Sequence, residues 1–299
     1  MRIRRELARG RCLYLMLLPV LLFYILFHYL PMGGAVIAFK AYKPLKGIFG
    51  SPWIGFDNFL EFFRSVYFVR LLLNTVLLSL CTLLFAFPVP IILALLFNEL
   101  RNRKLKRTVQ TLSYLPHFIS TVVVCGMIVD FLSSAGAYNA VRALLGLPPR
   151  LVLLDAGAFR GVYVLSEVWQ ECGWNSIIYL AAITGIDAQI YEAALVDGAG
   201  RFQRLLHITL PGLAATIAVL LVLHLGRTMS VGFEKVLLLQ NPMNYETSDI
   251  ISTYIYQRGI QMMDFSYSTA IGLFNNVINC VLLVSANAAS RKLTDYGIW

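Results

Sequence analysis

Long apolar runs alternate with short charged segments along this chain of 299 residues. Most of the runs approach or exceed the roughly 20 apolar residues that a helix needs to cross a bilayer. The pattern predicts six membrane-spanning helices at about 12–30, 71–97, 108–129, 161–182, 213–225 and 268–289. The fifth run is the shortest, and we expect its helix to extend beyond both ends. The chain is therefore predicted to be an all-α polytopic membrane protein.

The composition supports a membrane protein and argues against a soluble one. Hydrophobic residues make up 58% of the chain and the mean hydropathy is +0.70, whereas soluble domains contain about 45–50% apolar residues. The net charge of +9 does not indicate nucleic-acid binding, because the basic residues adjoin apolar runs and form no patch interleaved with aromatics. The run 101–107 (RNRKLKR) is interpreted as a cytoplasmic loop that fixes membrane orientation.

The distribution of Lys and Arg predicts which loops face the cytoplasm. The N-terminal arm, the loop after the second run, the segment before the fifth run and the C-terminal tail contain 14 of the 25 basic residues. These segments are shorter in total than the loops on the opposite side, so their density of basic residues is about twice as high. Because positively charged loops stay in the cytoplasm, both termini and the segment before the fifth run are predicted to be cytoplasmic.

The first apolar run could have two roles. It follows a basic arm, as the core of a secretory signal does. However, it exceeds the roughly 7–15 residues of such cores, and no cleavage site with small residues ends it. We therefore expect a retained signal anchor.

Residues that could support catalysis or metal binding are scattered. The five cysteines stand singly, and four of them lie in apolar runs, where a free cysteine packs as a small hydrophobe. None of the four histidines has a second ligand at helical spacing, so no metal site is expected. The phosphate-binding pattern G-x-x-x-x-G-K-S/T does not occur. We therefore expect that this chain is not an enzyme and binds no cofactor itself.

The most informative stretch is the charged segment Glu192–Pro211 (EAALVDGAGRFQRLLHITLP) between the fourth and fifth runs. Asp187 is suited to cap its first helix, and Gly198 and Gly200 provide the backbone freedom for a turn. A second short helix follows, and Pro211 fits the first turn of the next span, where its missing N–H costs nothing. The sequence thus predicts a cytoplasmic helix–turn–helix. An amphipathic hairpin lying at the lipid headgroups is the alternative.

The spacing E-A-A-x3-G-x9-I-x-L-P in this segment resembles the EAA loop of the permease subunits of ABC importers. The matching residues are Glu192, Ala193, Ala194, Asp197, Gly198, Ala199, Ile208, Leu210 and Pro211. Further segments resemble the carbohydrate branch of that family, the permeases for polysaccharide-derived oligosaccharides, which are related to the maltose-type permeases. They are NTVLLS (74–79), RTVQTLSYLPHFIS (107–120), DIISTYIYQRGI (249–260), STAIGLFNNVIN (268–279) and YGIW (296–299).

This resemblance covers nearly the whole chain and implies one transmembrane permease domain over 1–299 with the type I ABC importer permease fold. The first helix at about 12–30 would be peripheral, and the core would extend over about 71–289. The segment at about 184–212, hereafter the coupling loop, would contact an ATPase and transmit its closure to the membrane helices.

The resemblance also implies a set of partners in a bacterial cell membrane. They are a homologous second permease, two ABC ATPase subunits that bind ATP and Mg, and an extracytoplasmic solute-binding protein that delivers an oligosaccharide. A permease for another solute class is one alternative. An ion-coupled secondary transporter is another, but it would need coupling carboxylates near mid-membrane and usually an inverted repeat, and neither is evident.

Polar residues inside the predicted spans are functional candidates by default. The stretch VWQECGWN (168–175) combines tryptophans that could stack on sugar rings with polar groups that could bind hydroxyls. The sixth run carries three asparagines at i, i+1 and i+4. The candidates for a substrate path are Trp169, Gln170, Glu171, Trp174, Asn175, Asn275, Asn276 and Asn279. Interhelical hydrogen bonds and an interfacial aromatic belt are the alternative explanation.

Overall fold

The computed structural model describes residues 11–230, 232–294 and 297–298. Their regular elements are all helical, and no strand occurs among them, only an isolated antiparallel bridge between Lys40 and Trp53. The prediction of an all-α polytopic fold is confirmed. The N-terminal basic arm and two residues of the predicted C-terminal similarity, Tyr296 and Trp299, lie outside the described residues.

The chain divides into two compact units, and the first comprises 1–65 and 255–274. Its elements are the helices Arg11–Tyr24, Leu30–Met32, Gly47–Gly50 and Asp57–Arg64, the 3-10 helices Gly33–Phe39 and Pro44–Lys46, and the π-helical turns Ile25–Tyr29 and Gln257–Gln261. Every side chain from Leu13 to Met32 is exposed. Such a continuous apolar surface is what a lipid-facing helix requires.

The second unit comprises 66–254 and 275–299. Its α-helices are Phe68–Cys81, Pro88–Glu99, Arg103–Tyr114, Thr121–Leu132, Ala137–Leu144, Ala156–Thr184, Ala188–Val196, Arg201–Arg204, Leu210–Gly212, Ala214–Leu225, Phe233–Leu239 and Tyr245–Ser248. Shorter turns connect them, namely the π-helical turns Thr82–Ala86 and Leu205–Thr209 and the 3-10 turns Leu115–Phe118, Val152–Leu154 and Thr228–Ser230. Helices Ile251–Tyr256 and Phe265–Thr294 contribute residues to both units.

Three prolines explain three of the π-helical turns. Pro31, Pro88 and Pro211 each lie two residues after such a turn ends. A proline inside a helix has no N–H to donate, and its ring clashes with the carbonyl four residues earlier. Widening the preceding turn relieves this clash while the helix continues, so the apolar runs bend and do not break at these positions.

The helices agree with most of the predicted spans. Length and hydropathy identify Leu13–Phe39, Phe68–Glu99, Thr121–Leu144 and Phe265–Lys292 as able to cross a membrane, together with the pair Arg201–Gly212 and Ala214–Leu225, which is bent by 55°. Helix Ala156–Thr184 has 29 residues, which is long enough to span, but its polar residues lower its hydropathy. The count of six spans therefore stays a prediction.

The third span differs from its predicted extent of 108–129. Helix Arg103–Tyr114 ends in a 3-10 turn that contains Pro116, and Ser120 then caps a new helix by accepting a hydrogen bond from the backbone N–H of Val123. The proline and the capping serine are both signals that end one helix and begin another, and the absence of charged residues from 108–129 made the two helices resemble one span.

Helix Ala156–Thr184 is the centre of the second unit. Its Phe159, Tyr163 and Val164 pack against residues of four other segments, and those partners are Leu78, Cys125, Val236, Leu239 and Ile250. Nearer its C-terminus, Tyr179 and Ile183 pack against Ala94 and Leu213. A side chain at Gly173 would overlap the backbone of Ser113, so this glycine allows helix Arg103–Tyr114 to approach closely.

Candidate functional site

The coupling loop forms the predicted helix–turn–helix. The side chain of Asp187 accepts a hydrogen bond of 2.9 Å from the backbone N–H of Gln189 and caps helix Ala188–Val196, as predicted. Gly198 has a φ of +80°. The N–H of Ala199 donates to the carbonyl of Ala194 at 2.9 Å, and that of Gly198 donates to Leu195 at 3.1 Å. These two bonds make a Schellman motif, which requires a left-handed residue at the position of Gly198.

Two contacts brace the two arms of the coupling loop against each other. The hydroxyl groups of Tyr191 and Thr209 are 2.9 Å apart. At the base of the loop, Gly212 lies so close to the side chain of Ile186 that a Cβ there would meet it. The two arms of the loop are therefore connected at two points.

The coupling loop presents its predicted contact residues to solvent. Glu192, Ala193, Asp197, Gly198, Leu210 and Pro211 are exposed, and Ala194, Ala199 and Ile208 are half-buried. Large apolar side chains are exposed beside them, among them Val196 at 88% and Phe202 at 71%. Exposed apolar side chains of this size are typical of protein interaction sites.

A cavity of about 660 Å³ opens in the second unit and is hereafter the central cavity. Its walls come from helices Phe68–Cys81, Pro88–Glu99, Ala156–Thr184 and Ala214–Leu225 and from the segment after the last of these. Among the predicted path residues, Gln170, Glu171 and Asn175 line it.

The two tryptophans predicted for the path do not line the central cavity. The ring of Trp174 stacks on His117, with centroids 4.6 Å apart and planes inclined by 3°. His117 Nδ1 is in turn 2.9 Å from Glu171 Oε2. Trp169 is exposed. Trp174 therefore contacts His117, whose partner Glu171 lines the cavity.

None of the three asparagines of the sixth span lines the central cavity. Asn279 accepts a 2.9 Å hydrogen bond from the backbone N–H of Met229 and donates one to Ser230, so it holds a segment that does line the cavity. Asn276 is exposed, and Asn275 is buried with no hydrogen-bond partner for its Oδ1 among the described residues.

An ion pair at the central cavity was missed by the sequence analysis. Lys235 Nζ donates to Glu167 Oε2 at 2.6 Å, and the lysine side chain is only 6% exposed, against 28% for the glutamate. The ammonium group also lies 6.0 Å from the ring centroid of Tyr163. Glu167 lies in the predicted fourth span, whereas Lys235 lies beyond the end of the predicted fifth span. The signal for it was a lysine directly before the apolar run Val236–Leu239.

Comparisons with known proteins agree with this geometry. A family model described as "Binding-protein-dependent transport system inner membrane component" matches residues 67–295. The chain is 46% identical to Protein LplB of Bacillus subtilis (strain 168) over 98% of its own length and 92% of that relative. It is 44% identical, with the same coverage, to YteP of that organism, a polygalacturonan/rhamnogalacturonan transport system permease protein.

Solved structures give the same result. The chain superposes with a TM-score of 0.93 and 45% identity on a chain of a bacterial ABC transporter involved in the import of the acidic polysaccharide alginate, covering 98% of this chain and 100% of that one. A second structure, in complex with an alginate pentasaccharide-bound periplasmic protein, matches with a TM-score of 0.93 and 44% identity over the whole of both chains.

Proposed function

Because this chain belongs to the family of inner membrane components of binding-protein-dependent transport systems, we propose that it imports an oligosaccharide released from a polysaccharide. It is one permease of an ABC importer, in which an extracytoplasmic protein delivers the sugar to the central cavity and separate subunits hydrolyse ATP. The names of its relatives, which include transporters for pectin-type polysaccharides and alginate, support this solute class.

One observation carries the mechanism: both helices that flank the coupling loop also line the central cavity. Ala156–Thr184 leads into the loop and contributes Glu171, and Ala214–Leu225 follows it and contributes His224. Glu171 and Thr184 are about 20 Å apart along the helix at 1.5 Å per residue. A displacement of the braced loop by an ATPase would therefore move two cavity walls, which is the requirement of alternating access.

The remaining parts of the assembly follow from the same proposal. The chain has six spans in one permease domain with both termini in the cytoplasm, which puts the coupling loop on the side of the ATPases. A homologous permease completes the translocation pathway, and ATP and Mg bind to the ATPase pair. Glu192 and the apolar group around Phe202 form the contact surface for one ATPase.

The test is oligosaccharide-stimulated ATP hydrolysis by the reconstituted complex. Gly198→Asp should abolish the stimulation because the left-handed turn is lost, and Glu192→Lys should do so because the contact charge is reversed. Gly146→Asp is the matched control, since Gly146 also has a positive φ of +70° and open space around it. Full stimulation in both loop variants would refute the role of the loop. No stimulation or uptake with any oligosaccharide would refute the solute class.

A further inference from the structure

A second cavity, of about 390 Å³, lies between the end of helix Pro88–Glu99 and the coupling loop. Three arginines line it, Arg101, Arg201 and Arg204, with Glu99 as the only acidic residue of its described lining. We call it the arginine cavity. Its lining has a formal excess of two positive charges, and the proposed translocation pathway does not use it.

The arginines have no anionic partner in the part of the chain that the structure describes. Among the described residues, none of the three lies within 4.0 Å of a carboxylate oxygen. The Nε of Arg204 is buried and has no hydrogen-bond acceptor in the described part of the chain. A buried donor without an acceptor costs free energy, and a guanidinium group is an especially good donor to carboxylate or phosphate oxygens. An external acceptor would remove this cost.

Hydroxyl groups complete the lining. Tyr191 and Thr209, which brace the coupling loop, both face the arginine cavity, and Thr209 is buried. Three guanidinium groups around one cavity can together donate to several oxygens of a phosphate group. The volume also lies within the range of small-molecule sites, so a phosphate with part of its ester group fits.

The surroundings favour a phosphate held at the membrane surface. Helix Pro88–Glu99 exposes Ile92 and Leu96, as a lipid-facing helix does, and its apolar sequence ends at the basic run 101–107. The arginine cavity therefore lies where an apolar surface gives way to positive charge, which is the depth of lipid headgroups.

We propose that the arginine cavity binds a phosphate monoester or diester, and that the anionic headgroup of a lipid in the cytoplasmic leaflet is its favoured source. The ligand would bridge the end of a membrane helix and the coupling loop and would stabilise the loop in one position. This proposal does not depend on which solute the importer carries.

The experiment uses the complete importer in nanodiscs, either of phosphatidylcholine alone or of phosphatidylcholine mixed with phosphatidylglycerol. Native mass spectrometry measures phosphatidylglycerol retained by the complex, and calorimetry measures the binding of glycerol 3-phosphate in the phosphatidylcholine discs. The variants are Arg204→Gln, Arg204→Lys and Arg101→Gln. Arg103→Gln is the control, because Arg103 lies two residues after Arg101 and is exposed but does not line the cavity.

The wild type and the control should retain phosphatidylglycerol, and Arg204→Gln should weaken retention about ten- to hundredfold, the loss typical of one charge-assisted hydrogen bond. Arg204→Lys should fall between them. Saturable binding of glycerol 3-phosphate that Arg204→Gln abolishes, without lipid selectivity, would support a soluble phosphate ester as the source.

Equal retention and equal binding in Arg204→Gln and the control would overturn the proposal. So would loss of the ATPase subunits from Arg204→Gln in a complex that binds neither ligand, since the arginines would then belong to the subunit interface. If Arg204→Gln fails to insert, Arg101→Gln and Arg204→Lys provide the same comparison with a smaller change to the loop.

Discussion

The ion pair between Glu167 and Lys235 predicts an asymmetric response to mutation. Neutralising Glu167 with Gln leaves the ammonium group of Lys235 in a site where only 6% of its side chain is exposed. Replacing Lys235 with Met leaves the carboxylate of Glu167, which is 28% exposed and faces the water-accessible central cavity. Because water reaches the glutamate more easily, Glu167→Gln should be the more damaging substitution.

The magnitudes follow from the cost of an uncompensated buried charge. Removing one partner of a buried ion pair costs about 3–5 kcal/mol. The loss of stability in Glu167→Gln should approach that range, and attraction between the ammonium group and the Tyr163 ring should reduce it. Lys235→Met should cost about 1–3 kcal/mol, the penalty of one poorly satisfied polar group. The double variant buries no unpaired charge and should lie within about 1 kcal/mol of the wild type.

Denaturant titration of the purified complex in one detergent would rank the wild type, the two single variants and the double variant by their free energy of unfolding. Glu61→Gln and Lys46→Met make the same chemical changes at exposed positions and should shift the free energy of unfolding by less than about 0.5 kcal/mol. A Lys235→Met variant less stable than Glu167→Gln would contradict the assignment of burial. Strictly additive costs in the double variant would show that the two groups do not interact.

Four other substitutions test local features. Gly232→Ala should cost at least about 1–2 kcal/mol from its φ of +56°, and Gly173→Ala should separate two closely packed helices. Gly161→Ala meets open space and should leave the melting temperature unchanged or raise it, because alanine favours a helix more than glycine does. An equal loss of stability in all three glycine variants would refute both explanations. Asp155 accepts a hydrogen bond from Arg150, which lowers its pKa most, and one from the backbone N–H of Gly157, which lowers its pKa further. Its stabilising contribution is therefore present above the ordinary aspartate pKa and is lost as pH falls through the lowered value, so Asp155→Asn should flatten acid unfolding curves.

Local features of the coupling loop could be predicted from the sequence because local interactions determine them. An Asp cap and a glycine in the left-handed region each act within a few residues, and both appear, at Asp187 and Gly198. Pro211 differs from its prediction, because it lies inside the helix Arg201–Gly212 and the following span begins only at Ala214. The extent of the third span was predicted wrongly, because 108–129 contains no charged residue that would mark the break at Pro116 and Ser120.

The central cavity could be predicted only in part. Glu171 and Asn175 share a helix with several other polar residues, so the sequence placed them near one another. Lys235 and Glu167 are 68 residues apart in the chain, and the pattern of residues within one helix does not predict an ion pair between distant segments. The tryptophans were assigned to the path by residue type alone, and their exposure depends on packing that residue type does not determine.

The interrupted end of the fifth span shows why the cavity and the irregular backbone occur together. The predicted continuous extension is instead a 3-10 turn, Thr228–Ser230, between Ala214–Leu225 and Phe233–Leu239. Non-helical backbone at membrane depth is tolerated where protein or a water-filled cavity satisfies its polar groups. Here Ser79 donates to the carbonyl of Thr228, and Asn279 accepts from the N–H of Met229. Two side chains therefore stabilise the interruption. The interruption places backbone and charged groups at the wall of the cavity, where a continuous apolar helix would place apolar side chains.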